Sequence, residues 1–270
     1  MDDGNKIVNA LWIGEHLSSV ELLTIKSFLN NGHNFVLWAY DEIKTELPKG
    51  VILKDANEIF PKNKVFSYKY SNQFGHGKGS YAGFSDIFRY KLLYLHGGWW
   101  TDMDVTCLKP LDFETDYVFR THHDLELVGN IMKCPKNSLL MKKCFEEAVE
   151  KVNENNRDWH LPIQILVDNV KELDLTIYIR NFSNQDSWNL IRKFLSKNVE
   201  IPQNWYIIHW VNEEWRRNKI DKHTFLKNSL YAKLADINNI KIKKASFFKA
   251  LNIKFKLSKL GFGLKVFFPK

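Results

Sequence analysis

Two carboxylates placed two residues apart, Asp102 and Asp104, form the pattern in this sequence with the clearest chemical potential. They follow a Gly97-Gly98 turn and a short aromatic strand predicted over 99–101. Carboxylates held close together repel each other unless a cation joins them, and oxygen ligands suit Mg²⁺ or Mn²⁺ better than zinc. The pattern predicts a divalent cation site that could bridge a diphosphate. For an isolated Asp-x-Asp tripeptide, a solvated turn is the alternative.

A second charged pair, Asp86 and Arg89, lies in the helix predicted over 84–96. Residues three apart on a helix share one face, so both side chains can point into the same pocket. A surface ion pair is the alternative for such a spacing.

Together these segments resemble one enzyme family, the glycosyltransferases with a DXD-containing sugar-binding region. The family includes initiating α-1,6-mannosyltransferases and many capsular and lipopolysaccharide glycosyltransferases, and the catalytic domains of clostridial glucosylating toxins are distant relatives. The resemblance is dense over Ser85–Tyr90, Gly97–Val105 and Leu108–Leu111, and it extends weakly to Leu11–Gly14 and Ile208–Trp210.

The resemblance implies a hexosyltransferase that uses Mn²⁺ or Mg²⁺ and a nucleotide-diphosphate sugar, most often a UDP-sugar, with retention of configuration. It makes Asp102, Asp104 and Arg89 the catalytic residues. Asp104 ligates the metal directly, and Asp102 lies beside the ribose and the water shell of the metal. Asp86 accepts bonds from sugar hydroxyls, and Arg89 also reaches the diphosphate, whose oxygens fit its planar fork. The residues by themselves do not decide retention against inversion.

Four further residues enter the site through the same resemblance. Trp12 stacks on the base of the nucleotide, Trp100 lines the donor pocket, Asn130 lies near the sugar, and His209 completes the metal shell with Asp102 and Asp104. An ordinary core tryptophan and a satisfied core histidine are the alternatives for Trp12 and His209. The family more often has Tyr where this sequence has Trp100. Tryptophan has no hydroxyl group, so the resemblance does not say what replaces the contact that the tyrosine hydroxyl makes in the family.

Alternating strands and helices must position these residues. A strand is predicted over 6–13, and Ser18 and Glu21 form a capping box that begins a helix ended by Gly32. Further strands are predicted over 34–40 and 51–53. This alternation predicts an α/β fold with a mostly parallel sheet flanked by helices, and the resemblance makes it GT-A-like.

The remaining elements complete the predicted domain. The glycine-rich stretch over 61–83 predicts a loop over the site. Further strands are predicted over 117–120, 128–132, 175–179 and 205–210. Further helices are predicted over 137–152, 161–173 and 187–195. Open α/β sheets bind ligands beyond the carboxyl ends of their strands, which is where the pair Asp102 and Asp104 is expected to lie.

The basic charge of the chain is concentrated at one end. The 270 residues include 39 basic and 31 acidic ones, a net charge of +8, and 241–270 holds nine lysines without an acid. We divide the chain into a glycosyltransferase domain, 1–235, and a basic amphipathic extension, 236–270. Phenylalanines and lysines coincide there, so we expect contact with an anionic membrane surface. A helix packed on the domain, with its lysines in water, is the alternative.

Several classes of function are excluded or held as alternatives. No run of apolar residues is long enough to span a bilayer, and the start lacks a signal-peptide pattern. The three cysteines read as reduced, so we expect a cytoplasmic protein, peripheral on the inner face of a membrane. The acceptor is expected to be a carbohydrate or a lipid-linked glycan. A toxin-like effector that glycosylates protein and a non-catalytic sugar-nucleotide binding module are the alternatives. Nucleic acid is not an expected partner, because only the charge favours it.

Overall fold

The computed structural model describes residues 3–258, which form a mixed α/β structure. The strands in the described residues are β1 (Ile7–Trp12), β2 (Asn34–Ala39), β3 (Ile52–Asp55), β4 (Gly98–Thr101), β5 (Val105–Cys107), β6 (Val118–His122), β7 (Glu126–Cys134), β8 (Ile179–Arg180), β9 (Ile207–His209), β10 (Thr224–Phe225) and β11 (Lys243–Lys244). The α-helices of the same part of the chain are α1 (Asp3–Lys6), α2 (Ser19–Asn30), α3 (Ala82–His96), α4 (Leu139–Lys151), α5 (Leu161–Glu172), α6 (Trp188–Ser196), α7 (Asn212–Arg217), α8 (Leu230–Ile237) and α9 (Phe247–Leu257). Short 3-10 helices cover Ala56–Glu58, Lys62–Lys64 and Thr176–Tyr178.

A seven-stranded sheet in the order β3-β2-β1-β4-β7-β6-β8 forms the centre. Six of its strands run in one direction, and β7 alone is antiparallel to its neighbours β4 and β6. The predicted α/β fold with a central, mostly parallel sheet is therefore confirmed, and it is consistent with a GT-A-like fold. Two small sheets, β5 with β9 and β10 with β11, lie outside it.

Helices cover both faces of the sheet, because adjacent strand residues point to opposite sides. Trp100 packs into the cluster formed with α3, α4 and α5, whereas its neighbour Trp99 packs into the opposite cluster with Ile25 and Phe28 of α2. A third cluster joins α6, α8 and α9, where Ile253 is buried. The sheet is thus covered on both sides, and its carboxyl edge is left for a site.

The helices that flank the site begin and end at the predicted signals. The Ser18 hydroxyl accepts from the Val20 amide at 3.3 Å, and the Glu21 carboxylate accepts from the Ser18 amide at 2.6 Å, so the capping box of α2 is confirmed. Helix α3 ends at Gly97, which has a φ of 67°. That backbone conformation favours glycine, and it turns the chain directly into β4.

Two late elements differ from the prediction. The strand predicted over 175–179 is wrong: the chain forms a 3-10 turn over Thr176–Tyr178 and only then enters the two-residue strand β8. The strand predicted over 205–210 is shortened to β9, which pairs with β5 outside the central sheet. The Tyr206 amide donates to the Phe182 carbonyl at 2.7 Å, so its backbone belongs to a loop contact.

The C-terminal part was predicted as a separate extension, and the division at residue 235 stays a prediction. Helix α8 runs across that position, and α9 packs through Ile253 and Leu257 into the third cluster. Part of the extension, residues 259–270, lies outside the described residues. No helix within 3–258 is long and apolar enough to cross a bilayer.

Candidate active site

A cleft of about 520 Å³ opens at the carboxyl edge of β1 and β4. Strands β1 and β4 are parallel neighbours, so the residues that end them meet at the same edge. The cleft collects every site residue predicted from the sequence: Trp12, Asp86, Arg89, Trp100, Asp102, Asp104, Asn130 and His209. Residues 79–82 of the predicted glycine-rich loop also line it.

Arg89 links two carboxylates on one side of the cleft. Its Nη2 atom lies 3.1 Å from Oδ1 of Asp86 and 3.1 Å from Oδ1 of Asp102. The guanidinium also lies over the Trp100 ring, 5.2 Å from its centroid, and the Trp100 indole N–H donates to Oδ1 of Asp102 at 2.8 Å. Asp86 and Arg89 are both buried, so the surface ion pair proposed as the alternative does not describe them.

The surroundings of these carboxylates shift their protonation. Burial raises the pKa of Asp86 to about 6, against the opposing effect of the Arg89 guanidinium. Burial also raises the pKa of Asp102, again against Arg89, and the charge of Asp104 adds to the rise. The charged forms of Asp86 and Asp102 are therefore held at a cost, which polar or cationic groups of a ligand could offset.

Asp104 lies on the other side of the cleft and contacts His209. Its Oδ2 atom lies 3.3 Å from Nε2 of His209 and accepts from the Asn212 amide at 2.6 Å. Its backbone carbonyl accepts from the Trp210 amide at 2.9 Å, which continues the pairing of β5 with β9. This small sheet therefore brings a residue of the late segment to the second carboxylate of the Asp-x-Asp pair.

His209 is a cleft residue with charged partners on both ring nitrogens. Burial alone would lower its pKa, but the carboxylates of Asp186 and Asp104 outweigh burial and raise the pKa to about 10. Burial would raise the pKa of Asp104, but the charge and hydrogen bond of His209 outweigh it and lower that pKa. His209 thus lines the cleft with both ring nitrogens next to carboxylates, and the histidine carries a positive charge beside Asp104.

Buried polar atoms that lack a hydrogen-bond partner within residues 3–258 are concentrated in the cleft. Six side-chain atoms are in this state, and four belong to cleft residues. They are Nε1 of Trp12, Oη of Tyr68, Nδ2 of Asn130 and Oδ1 of Asn212. Since buried polar groups are normally paired, these donors and acceptors indicate a polar ligand. Trp12 itself is only partly buried and lines the cleft.

The types of donor on the Asp104 side suit a divalent cation. The unpartnered amide oxygen of Asn212, a carboxylate oxygen of Asp104 and Nε2 of His209 offer oxygen and imidazole ligands, which suit Mn²⁺ and Mg²⁺. Asp102 is held apart from them, because Arg89 and Trp100 both bind its Oδ1 atom. The predicted set of Asp102, Asp104 and His209 is thus divided, with Asp104 and His209 in direct contact.

Among the His, Cys, Asp and Glu side chains of the described residues, the only group of three with potential ligand atoms within 4.8 Å of one another is His122, His123 and Asp124, and His122 also lines the cleft. The group lies at the turn between β6 and β7. The Nδ1 atom of His122 already accepts from the amides of Asp124 and Leu125, at 3.1 and 3.2 Å. Its Nε2 atom lies 3.7 Å from Oδ2 of Asp186, so both ring nitrogens of His122 already have a protein partner, and this group is weaker as a metal centre than its composition suggests.

Sequence reasoning missed three residues. Asp186 and Arg120 hold His209 in place, and Asn212 is the second amide side chain that lines the cleft, beside Asn130. Asp186 lies in the loop before α6, and Arg120 lies on β6 with 1% of its side chain exposed. Asn212 opens α7. Their contacts join positions 23 to 108 residues apart, so no local spacing could have revealed them.

Comparison with known proteins agrees with this geometry. Residues 21–122 match the family described as "Glycosyltransferase sugar-binding region containing DXD motif". That range contains Asp86, Arg89, Asp102 and Asp104, and it covers less than half of the chain. Residues 21–122 are therefore identified as a glycosyltransferase-type sugar-binding region with a DXD motif.

Similar solved structures include one titled "PaToxG Glycosyltransferase" and a transferase variant with two cysteine-to-serine substitutions. The first is 14% identical, with a TM-score of 0.42 over 64% of this chain and 73% of that one. The second is 10% identical, with a TM-score of 0.42 over 64% of this chain and 87% of that one. No curated protein matches the sequence at a significant level. At these similarities the two structures say nothing about the substrates of this chain.

Proposed function

We propose that the protein is a metal-dependent hexosyltransferase, which transfers a hexose from a UDP-sugar to a carbohydrate or glycolipid acceptor with retention of configuration. The observation that carries the proposal is the convergence of all eight predicted residues on one cleft at the carboxyl edge of the sheet. The four unpartnered buried polar atoms in that cleft add independent support, because a polar ligand would satisfy them.

Each group has a role that its position supports. The Trp12 ring, at the end of β1, would stack on the base, and the carboxylate of Asp86 would accept bonds from sugar hydroxyls. The Arg89 guanidinium would bind the diphosphate and stabilise its charge as it leaves the anomeric carbon. Asn130, whose Nδ2 atom has no partner in the described residues, would donate to the sugar.

Asp104, His209 and Asn212 would hold the divalent cation, and Asp102 would lie beside the ribose and the water shell of the metal. A bound cation supplies charge neutralisation at the leaving diphosphate. In the protein alone the positive charge of His209 stands beside Asp104, so His209 must release its Nε2 proton when it becomes a ligand.

Nucleotide release from a panel of UDP- and GDP-sugars, with Mn²⁺ or Mg²⁺, tests this proposal. We expect metal-dependent release of UDP from one donor and its loss in Asp104→Ala. The toxin-like alternative would show transfer only to a protein acceptor, and the binding-module alternative would show UDP binding without release. Absence of both binding and release with every donor and metal would contradict the proposal. As a matched control, Asp168→Asn removes an exposed carboxylate on α5 and should keep the activity.

We also propose that α9 docks the enzyme on the cytoplasmic face of an anionic membrane, as a peripheral protein. Ile253 and Leu257 face the protein, whereas a second apolar set on the same helix is exposed: Phe247 (73%), Phe248 (82%), Leu251 (49%) and Phe255 (54%). Lys249, Lys254 and Lys256 lie on the same helix. Exposed aromatic residues together with lysines suit an anionic bilayer surface, where a lipid-linked acceptor is found.

Co-sedimentation with vesicles tests the docking. We expect binding to vesicles that contain anionic lipid, and a loss of at least tenfold in the double variant Phe247→Ala/Phe248→Ala. Ile177→Ala is the matched control, since Ile177 is a similarly exposed apolar residue (68%) in a 3-10 turn away from α9. Equal binding by the double variant and the control, or equal binding to neutral vesicles, would contradict the docking.

A further inference from the structure

A buried network behind His209 joins three segments of the chain. Arg120 of β6 donates to both carboxylate oxygens of Asp186, from Nη1 to Oδ2 at 2.8 Å and from Nη2 to Oδ1 at 2.5 Å. The same guanidinium donates to the Asn184 carbonyl at 2.5 Å and to the Ser183 hydroxyl. A bidentate arginine–carboxylate pair restricts the orientation of the carboxylate, so the Asp186 side chain is fixed relative to β6 of the central sheet.

The fixed carboxylate in turn holds the ring of His209. Oδ1 of Asp186 accepts from Nδ1 of His209 at 2.8 Å. Asn184 holds the backbone of the same residue, accepting from the His209 amide at 2.8 Å and donating to its carbonyl at 3.0 Å. With Nδ1 engaged on one side, Nε2 is the ring nitrogen that faces the cleft, 3.3 Å from Oδ2 of Asp104.

We propose that Asp186 and Arg120 are positioning residues that hold His209 so that its Nε2 atom can bind the divalent cation beside Asp104. The proposal rests on the proposed metal-dependent function. A carboxylate bound to the far nitrogen of a ligand histidine fixes the orientation of the ring and raises its strength as a ligand. Without Arg120, Asp186 would lose both of its guanidinium hydrogen bonds and would keep only the contacts with His209 at 2.8 Å and His122 at 3.7 Å, so its carboxylate would be freer to turn.

A purely structural role for the pair is the competing explanation. The Arg120–Asp186 pair also ties β6 to the loop over 183–186, so its loss lowers stability whether or not a metal binds. A structural role would lower stability and leave the metal affinity of the remaining folded protein unchanged. A positioning role lowers metal affinity even in a variant whose stability has been restored.

Mn²⁺ binding by the full-length chain without donor, followed by electron paramagnetic resonance of the free ion, separates these roles. Asp186→Leu should weaken Mn²⁺ binding by about 10- to 100-fold, the range typical for loss of such a partner. Asp186→Asn keeps an acceptor for Nδ1 and should lose much less. The double variant Arg120→Met/Asp186→Leu removes both buried charges together, so it should regain stability and keep the weakened binding.

His33→Gln provides the matched control. His33 is also a buried histidine (2% exposed), bonded at both ring nitrogens to the Asn5 carbonyl and the Leu111 amide, and it lies outside the cleft. Its substitution should lower the unfolding temperature and leave Mn²⁺ affinity at the wild-type value. Should Asp186→Leu fail to fold, the double variant and Asp186→Asn carry the comparison.

A second readout needs no metal. In ¹⁵N-histidine spectra of the metal-free protein, the hydrogen-bonded Nδ1 proton of His209, assigned by its loss in His209→Gln, should disappear in the double variant. Wild-type Mn²⁺ affinity in that variant, or an unchanged His209 signal, would overturn the positioning role and leave the proposed function standing. If the wild-type protein itself binds no Mn²⁺ while the His209 signal depends on Asp186, the proposed metal dependence fails instead.

Discussion

Asp86 offers a test in which stability and function move in opposite directions. Its carboxylate is buried in the cleft, and its pKa of about 6 lies well above the ordinary value of 3.8. The folded protein therefore holds the charged form of Asp86 at a cost above that pH. Asp86→Asn removes the charge while keeping the shape, so we expect a more stable protein that no longer turns over its donor.

The magnitude follows from the pKa difference. About two pKa units correspond to about 3 kcal/mol, which is the upper limit of the gain in the free energy of unfolding. Because the folded-state pKa is raised, the wild-type protein recovers stability as the pH falls through 6, whereas the variant has no such group. The advantage of the variant should therefore shrink by about 1.4 kcal/mol between about pH 7.5 and about pH 5.

Urea unfolding of both proteins at these two pH values measures the difference directly. Asp168→Asn serves as the control, because an exposed carboxylate should give a small difference that changes little with pH. A variant that is less stable than the wild-type protein at neutral pH, or a difference that grows as the pH falls, would refute the reasoning about the buried charge.

Three further predictions address the donor side of the cleft and the thiols. A Cβ at Gly129 would lie 2.9 Å from Nη1 of Arg89, so Gly129→Ala should displace the guanidinium. We expect calorimetry to show UDP binding about tenfold weaker in this variant. Its circular dichroism spectrum should stay native. Trp12→Ala should cost about 1–3 kcal/mol of UDP affinity if the ring stacks on the base, while Trp12→Phe keeps most of it; equal affinities would contradict stacking. The three buried cysteines are Cys107, Cys134 and Cys144, and burial raises the pKa of each thiol. None of them should react with a thiol reagent in the native protein, and all three should react after unfolding.

The parts of the site that could be predicted are those written in short stretches of sequence. The capping box at Ser18, the Gly97 stop and the Asp102–Asp104 pair each depend on neighbours within a few residues, so their elements and their place at the strand ends follow from local rules. The covered sheet followed in the same way from the alternation of strands and helices.

The parts that could not be predicted depend on contacts between distant segments. Asp186 lies in the loop before α6 and Arg120 lies on β6, 66 residues earlier in the chain. Their roles appear only when β6, the loop over 183–186 and β9 meet behind the cleft. The strand predicted over 205–210 is shortened to β9, and its pairing with β5 outside the central sheet also joins distant segments.

UDP binding to the wild-type protein and to Asp104→Asn, each with and without Mn²⁺, tests the central claim most directly. Isothermal titration calorimetry should show tight binding only for the wild-type protein with Mn²⁺, and binding at least tenfold weaker when either the ion or the Asp104 carboxylate is removed. UDP binding of equal affinity in all four experiments, or no binding in any, would contradict a metal-dependent nucleotide-sugar site in this cleft.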